Sequence, residues 1–264
     1  MKARSPFPAR LDFLQGKAPA GRAMEQSGGN DRGPRAPRPL LSTRGVGEFD
    51  SRSARLNLVQ KLRAGGISDP RVLAAIEAIE RHRFVDSALV TQAYEDTSLP
   101  IGLGQTISKP GVVARMLELL QQGASPHLGR VLEIGTGCGY QAAVLSQLVA
   151  EVYSIERLRG LHEKARENLR YFRLANVHLL FGDGMLGYAR GAPYSAIIAA
   201  AVSDAVPQAW IDQLAPGGRL VMPIASGKAA SAPQALWVVD KTAQGVRQTV
   251  LEAVRFVPLK SGLA

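Results

Sequence analysis

The segment VLEIGTGCGY (131–140) constrains this chain more than any other. An apolar strand runs straight into Gly135, Gly137 and Gly139 and then into a helix, so the turn between them is tight and its backbone is open to a ligand, with no Cβ in the way. The helix start adds unpaired N–H groups, which suit an anionic or hydroxyl-rich ligand. The spacing departs from the dinucleotide fingerprint, because Tyr140 stands where the third glycine belongs, and this disfavours a hydride-transferring dehydrogenase. Downstream, strand-like segments at 130–134, 151–155, 177–181, 194–200 and 219–224 alternate with helical segments at 140–148, 158–172 and 206–214. That order predicts an α/β, doubly wound, mostly parallel sheet covered by helices on both faces. Two further strands, 235–239 and 251–257, read as an antiparallel hairpin at a sheet edge.

Two carboxylates fall at the ends of the next two strands. Glu156 closes the second strand, 21 residues beyond Gly135, where a carboxylate accepts hydrogen bonds from both hydroxyls of a ribose. The competing reading is a favourable charge at the start of the following helix. Asp183 and Gly184 lie in FGDG at the end of the third strand. There the carboxylate either accepts from an adenine amino group or simply makes an Asp-Gly turn. Glu133 has three readings: it holds the turn, meets the cationic end of a cofactor, or pairs with an arginine.

Upstream, a helix begins near Ser53 with Leu56, Val59 and Leu62 at helical spacing and stops at Gly65-Gly66. A second follows, with Asp69 as cap, Pro70 in the first turn and Val72, Leu73, Ile76 and Ile79 as its apolar face. Residues 84–108, containing YEDTSLPIGLGQTIS, read as a long connection, and a loop of that length signals a lid or a binding surface. A helix over 109–121 comes next. Ser108, just before it, is either its N-cap or a hydroxyl aimed at a ligand.

Taken in order, RLNLVQKLRAGGISDPRVLAAIEAIERHRFV, AYEDTSLPIGLGQTIS, VLEIGTGCGYQAAVLSQL, VYSIER, GDG, QLAPGGRLVMPI and VRFVPL resemble the protein-L-isoaspartate O-methyltransferase family over about residues 54–260. The resemblance implies a Rossmann-like S-adenosylmethionine-dependent methyltransferase fold with added N-terminal helices and C-terminal antiparallel strands. It places the family's cofactor residues on Glu133, Gly135, Gly137, Glu156, Asp183 and Gly184, and its substrate-loop serine on Ser108. It implies S-adenosyl-L-methionine as methyl donor, S-adenosyl-L-homocysteine as product, and L-isoaspartyl, less well D-aspartyl, carboxylates of proteins and peptides as acceptors. It also brings VRFVPL toward the substrate cleft. The chain departs from the family pattern at Leu103 (often histidine), Gly111 (often aromatic), Ser195 (often aspartate) and Glu80 (often proline).

Charge and cysteine narrow the alternatives. The net charge is +10, but residues 1–55 hold 11 Lys/Arg and 5 Asp/Glu, so +6 of it lies in that fifth of the chain. Six prolines and seven glycines interrupt residues 1–50, which are expected to be a flexible basic extension to a single domain over 51–264. Cys138 is the one cysteine, which rules out an intrachain disulfide and fits a cytoplasmic setting; beside the cofactor it is either an oxidation-sensitive thiol or filler for a tight turn. No apolar run is long enough for a membrane span, and His82, His127, His162 and His178 have no ligand spacing, so neither membrane nor metal is expected. The alternatives are a methyltransferase of a small molecule or RNA, and a basic nucleic-acid-binding protein. The second lacks any recognisable nucleic-acid-binding signature, so no specific nucleic-acid partner is expected.

Overall fold

The computed structural model describes residues 50–122, 128–227 and 232–264; the expected extension lies outside them except for Asp50. Asp50 opens helix α1 (Ser51–Ala64) by accepting hydrogen bonds from the N–H groups of Arg52 and Ser53. The buried stripe of α1 is Leu58, Val59 and Leu62. Leu56, expected in that stripe, is 40% exposed; it lies two positions from Leu58, about 200° around the helix, and so faces away. Helix α2 (Pro70–Ala78) starts as anticipated, with the Asp69 carboxylate accepting from Arg71 N–H at 2.8 Å.

The connection read as irregular contains structure of its own. After two short 3₁₀ turns come strands β1 (Leu99–Gly102) and β2 (Gln105–Ile107), an antiparallel hairpin. Its tip needs positive φ at Gly102, Leu103 and Gly104. The sequence signal was weak because the strands are four and three residues long, too short for a period-2 pattern. Helix α3 (Pro110–Gln121) follows.

The core is one sheet of seven strands: β3 (Leu128–Ile134), β4 (Val149–Glu156), β5 (Val177–Phe181), β6 (Tyr194–Ala199), β7 (Leu214–Ala225), β8 (Gln234–Thr242) and β9 (Gly245–Ala253), in the order β5-β4-β3-β6-β7-β8-β9. The pairings from β5 through β7 are parallel, and β7-β8 and β8-β9 are antiparallel. The last strand ends at Ala253, short of the expected 257, because the chain leaves the sheet there and turns back to pair Pro258 with Val202. Helices α4 (Tyr140–Leu145), α5 (Arg159–Arg170) and α6 (Gln208–Gln213) complete the fold. The third is shorter than expected, since β7 already begins at Leu214.

Alternate residues of the central strands supply two apolar layers. Val131, Ala196, Ile198 and Val221 face the layer shared with α1 to α5. Leu132, Ile134, Ile197, Leu220 and Met222 face the layer sealed by Trp210 of α6. Each aliphatic side chain so buried contributes about 1.5–3 kcal/mol, which explains why strands with few polar positions sit at the centre. The order of connection reverses between β3 and β6, and the carboxyl ends of the strands there form the crevice in which such sheets bind ligands.

Candidate active site

The glycine turn lies at this crevice. Gly135 N–H donates to Ile155 O at 2.9 Å and Ala200 N–H to Ile134 O at 2.8 Å, so the turn begins while still bonded to both neighbouring strands. Gly135 and Gly137 have φ of 88° and 56°, values that favour glycine. Both line one cleft, together with Thr136, Cys138, Gln141, Ile155, Glu156 and Gly184 on the sheet side. The opposite wall comes from Ile101, Leu103 and Gln105 to Ser108 of the hairpin and from Val257 to Lys260 of the C-terminal segment.

Glu156 is buried, and its two oxygens are tied to different pieces of backbone. Oε2 accepts from Gly137 N–H and Oε1 from Leu158 N–H, each at 2.9 Å. The carboxylate therefore holds the glycine turn and the approach to α5 at once. Each oxygen retains a second lone pair for a hydroxyl. The carboxylate thus serves the start of α5 and keeps acceptor capacity on the cleft wall.

Glu133 lies behind the turn rather than on the cleft wall. It is fully buried and accepts a hydrogen bond from the Ser154 hydroxyl, which in turn lies 2.6 Å from Thr136 Oγ1. Burial pushes its pKa up to about 8, so it is mostly protonated at neutral pH. No arginine pairs with it among the described residues, which removes that reading. Its Oε1 and the neighbouring Gln141 amide nitrogen are both buried, and the Gln141 side chain acts on the carboxyl as a hydrogen-bond partner that opposes the effect of burial. The Glu156 carboxylate, the cleft-lining Gln141 amide and the glycines of the turn, which keep Cβ atoms out of the way at Gly135 and Gly137, fit a ligand bearing hydroxyl and amino groups.

Gly184 is on the cleft wall with no room for a side chain: a Cβ there would sit 2.6 Å from Ile134 Cγ2. Its carbonyl accepts from Trp210 Nε1 at 2.9 Å, which fixes the rim from below. Asp183 stands just behind. One oxygen accepts from Met185 N–H at 2.9 Å, making the turn, and the other from Gly262 N–H at 2.6 Å. The C-terminal residues are thereby drawn across this rim, where Ala264 also exchanges backbone hydrogen bonds with Arg157 and Arg159.

Ser108 is half-buried on the hairpin wall, and its hydroxyl has no hydrogen-bond partner among the described residues. The N-cap reading is overturned. Lys109 occupies the cap position of α3, and the first turn is capped from a distance by Asp96, whose Oδ1 accepts from Gly111 N–H at 2.7 Å. This also accounts for the space at Gly111, where a Cβ would come within 3.0 Å of the Asp96 carboxylate. The hairpin itself is fastened over the turn: Lys164 of α5 donates to Ile101 O at 3.0 Å, and Leu103 reaches Gly160.

Cys138 is buried in the turn, and desolvation pushes its thiol up to about 11. Thiolate is scarce at neutral pH, so the oxidation-sensitive reading gives way to the space-filling one. Sequence reasoning did not single out Asp96, Gln141, Lys164 or Arg81. Gln141 had a signal, being the residue after Tyr140 in the motif. The others act through contacts between segments distant in sequence.

The chain is similar to known proteins over most of its length. The profile described as Protein-L-isoaspartate(D-aspartate) O-methyltransferase (PCMT) matches residues 53–264. A protein-L-isoaspartate O-methyltransferase from Methylibium petroleiphilum is 53% identical, with 97% of this chain and 96% of the relative covered. One from Leptothrix cholodnii is 57% identical over 81% of this chain and 76% of its own length. A solved structure of a protein-L-isoaspartate O-methyltransferase superposes with a TM-score of 0.70 at 31% identity, covering 79% of this chain and 67% of that one. The chain belongs to the protein-L-isoaspartate O-methyltransferase family.

Proposed function

We propose that this protein transfers the methyl group of S-adenosyl-L-methionine to the free carboxylate of L-isoaspartyl, and less well D-aspartyl, residues in damaged proteins, the step that initiates their repair. The observation that carries the reading is the meeting of two walls in one cleft: the glycine turn with Glu156 on one side, and the hairpin bearing the unpartnered Ser108 hydroxyl on the other. Bound there, S-adenosyl-L-methionine supplies a methyl carbon made electrophilic by its sulfonium. Gly135, Gly137 and Gly184 would leave room for it, Glu156 would accept from its ribose hydroxyls, and the Glu133–Ser154–Thr136 chain of hydrogen bonds stiffens the turn.

The acceptor carboxylate is ionised near neutral pH and needs no general base. Ser108 donates a hydrogen bond that orients it, and nothing about the serine suits covalent catalysis. The hairpin and the Val257 to Lys260 segment face the turn across the cleft, so an acceptor seated between them would shed water that otherwise solvates the carboxylate and weakens its attraction to the sulfonium. Catalysis is then mainly alignment and desolvation. Protein and peptide acceptors rather than nucleic acid or membrane belong to the same reading and are supported by the family's acceptor class; a cytoplasmic setting belongs to it too, and the single cysteine suits that setting.

Transfer to a carboxylate yields a methyl ester, which separates this reading from methylation of a base or amine. Label moved from methyl-labelled cofactor to an isoaspartyl peptide should be released as methanol in mild alkali. Alkali-stable label on the acceptor would overturn the assignment.

A further inference from the structure

The side chain of Arg81 is fully buried, at 0% exposure, in the first 3₁₀ turn after α2. Its guanidinium makes no ion pair among the described residues. It donates instead to three backbone carbonyls: Nε to Ala93 O at 2.8 Å, and Nη2 to Ser108 O at 2.9 Å and to Thr97 O at 3.4 Å. These carbonyls flank the β1-β2 hairpin on both sides, so a single side chain gathers the base of the segment that forms one wall of the cleft. The guanidinium carbon also lies 4.9 Å from the centroid of the Tyr140 ring, at the start of α4 just beyond the glycine turn. Nη1 and the Tyr140 hydroxyl are both buried, and the guanidinium and the hydroxyl act on each other as hydrogen-bond partners. Among acidic side chains, Asp96 acts on Arg81 only through space.

A buried cation without a paired carboxylate costs several kcal/mol of desolvation, and an apolar side chain would cover the base of a hairpin without that cost. The charge is placed against the Ser108 carbonyl on one side and the Tyr140 ring on the other. In a site of low dielectric, a fixed positive charge favours an anionic acceptor over a neutral one. Arg is also the side chain whose planar fork can serve several carbonyls in fixed directions; Lys is a point charge on a flexible stem.

Building on the proposed methyl transfer, we propose that Arg81 is a positioning residue for the methyl acceptor: it fixes Ser108 on the cleft wall through its backbone carbonyl, and its charge biases that end of the cleft toward an ionised carboxylate. It does not touch the substrate. Its contribution is therefore to acceptor selection and alignment, while cofactor binding is left to the sheet side of the cleft.

The test compares wild type, Arg81→Gln and Arg81→Lys with two matched peptides, one carrying the free isoaspartyl carboxylate and one with that group converted to the amide. Peptide binding is measured with S-adenosyl-L-homocysteine in place, cofactor affinity by calorimetry, and methyl transfer by single turnover. Arg81→Gln should hold the cofactor product within about threefold of wild type, lose about tenfold or more of its preference for carboxylate over amide, and turn over at least about thirtyfold more slowly. Arg81→Lys should keep most of the preference but lose rate, because the charge survives and the fork does not. Equal weakening of both peptides in Arg81→Gln would reduce the residue to scaffold and overturn the proposal. So would wild-type preference and rate in either variant. If Arg81→Gln fails to bind the cofactor product, Arg81→Lys decides: an unchanged single-turnover rate contradicts the proposal, and a fall at unchanged cofactor affinity supports it. Wild type that fails to methylate the isoaspartyl peptide would instead count against the functional reading itself.

Discussion

Replacement of Glu156 separates its hold on the backbone from the ribose contact proposed for it. In Glu156→Ala the N–H groups of Gly137 and Leu158 both lose their acceptor at a site that is 6% exposed. Leaving a buried donor unsatisfied costs about 1–3 kcal/mol, so the two together should destabilise the cofactor-free protein by about 2–4 kcal/mol once water reaches part of the space. For a domain of this size that is a fall in Tm of roughly 5–15 °C. Glu156→Gln keeps one acceptor oxygen and should lose about half as much. On the proposed ribose contact, both variants would also lose charged hydrogen bonds contributing about 1.5–3 kcal/mol each, so S-adenosyl-L-homocysteine should bind Glu156→Gln at least about tenfold more weakly. Melting curves without ligand measure the first effect, and calorimetry on the folded Gln variant measures the second. Unchanged affinity in folded Glu156→Gln would refute the ribose assignment, and an unchanged Tm in Glu156→Ala would refute the structural one.

Three further outcomes follow from particular contacts. Gly184→Ala places a methyl 2.6 Å from Ile134 Cγ2, and overpacking of about 1–3 kcal/mol should lower Tm and weaken cofactor binding together; native values for both in a thermal-shift titration would show that the rim yields freely. Glu133, with its pKa raised to about 8, keeps a proton in the folded state that the unfolded chain releases above about 4.5, so stability should decline as pH rises between those values and level off above them. Glu133→Gln should remove that decline, and urea unfolding of the cofactor-free protein at pH 5.5 and 8 tests it: an advantage over wild type that does not grow with pH contradicts the assignment. Deleting residues 1–48 retains Asp50, the cap of α1, and should leave Tm and peptide methylation nearly unchanged; a drop of many degrees would mean that the domain boundary is misplaced.

The sheet was legible because its strands are short, apolar and punctuated by glycine turns, and Glu156 and Gly184 could be placed because strand ends in such a sheet converge on one edge. Asp69 and Pro70 likewise announce α2 by local chemistry alone. What escaped was long-range. The cap of α3 comes from Asp96, fifteen residues before the N–H it serves, so the nearby Ser108 was the natural but wrong choice for that role. The β1-β2 hairpin is too short to declare a period, and its position over the glycine turn depends on Lys164 and Arg81, which no local pattern links to it. Leu56 misled because an apolar residue on a helix of modest length proves burial only when its face is known.

Acceptor choice is the property that most directly distinguishes the proposed activity. Single-turnover methyl transfer from labelled S-adenosyl-L-methionine should be measured on matched peptides differing only in L-aspartyl, L-isoaspartyl or D-aspartyl at one position, with Ser108→Ala beside wild type. Wild type should methylate the L-isoaspartyl peptide fastest, the D-aspartyl peptide more slowly and the L-aspartyl peptide at background. Folded Ser108→Ala should lose most of the rate while keeping its affinity for S-adenosyl-L-homocysteine. Equal rates on the L-aspartyl and L-isoaspartyl peptides, or no transfer to either by folded wild type that binds the cofactor, would contradict the account.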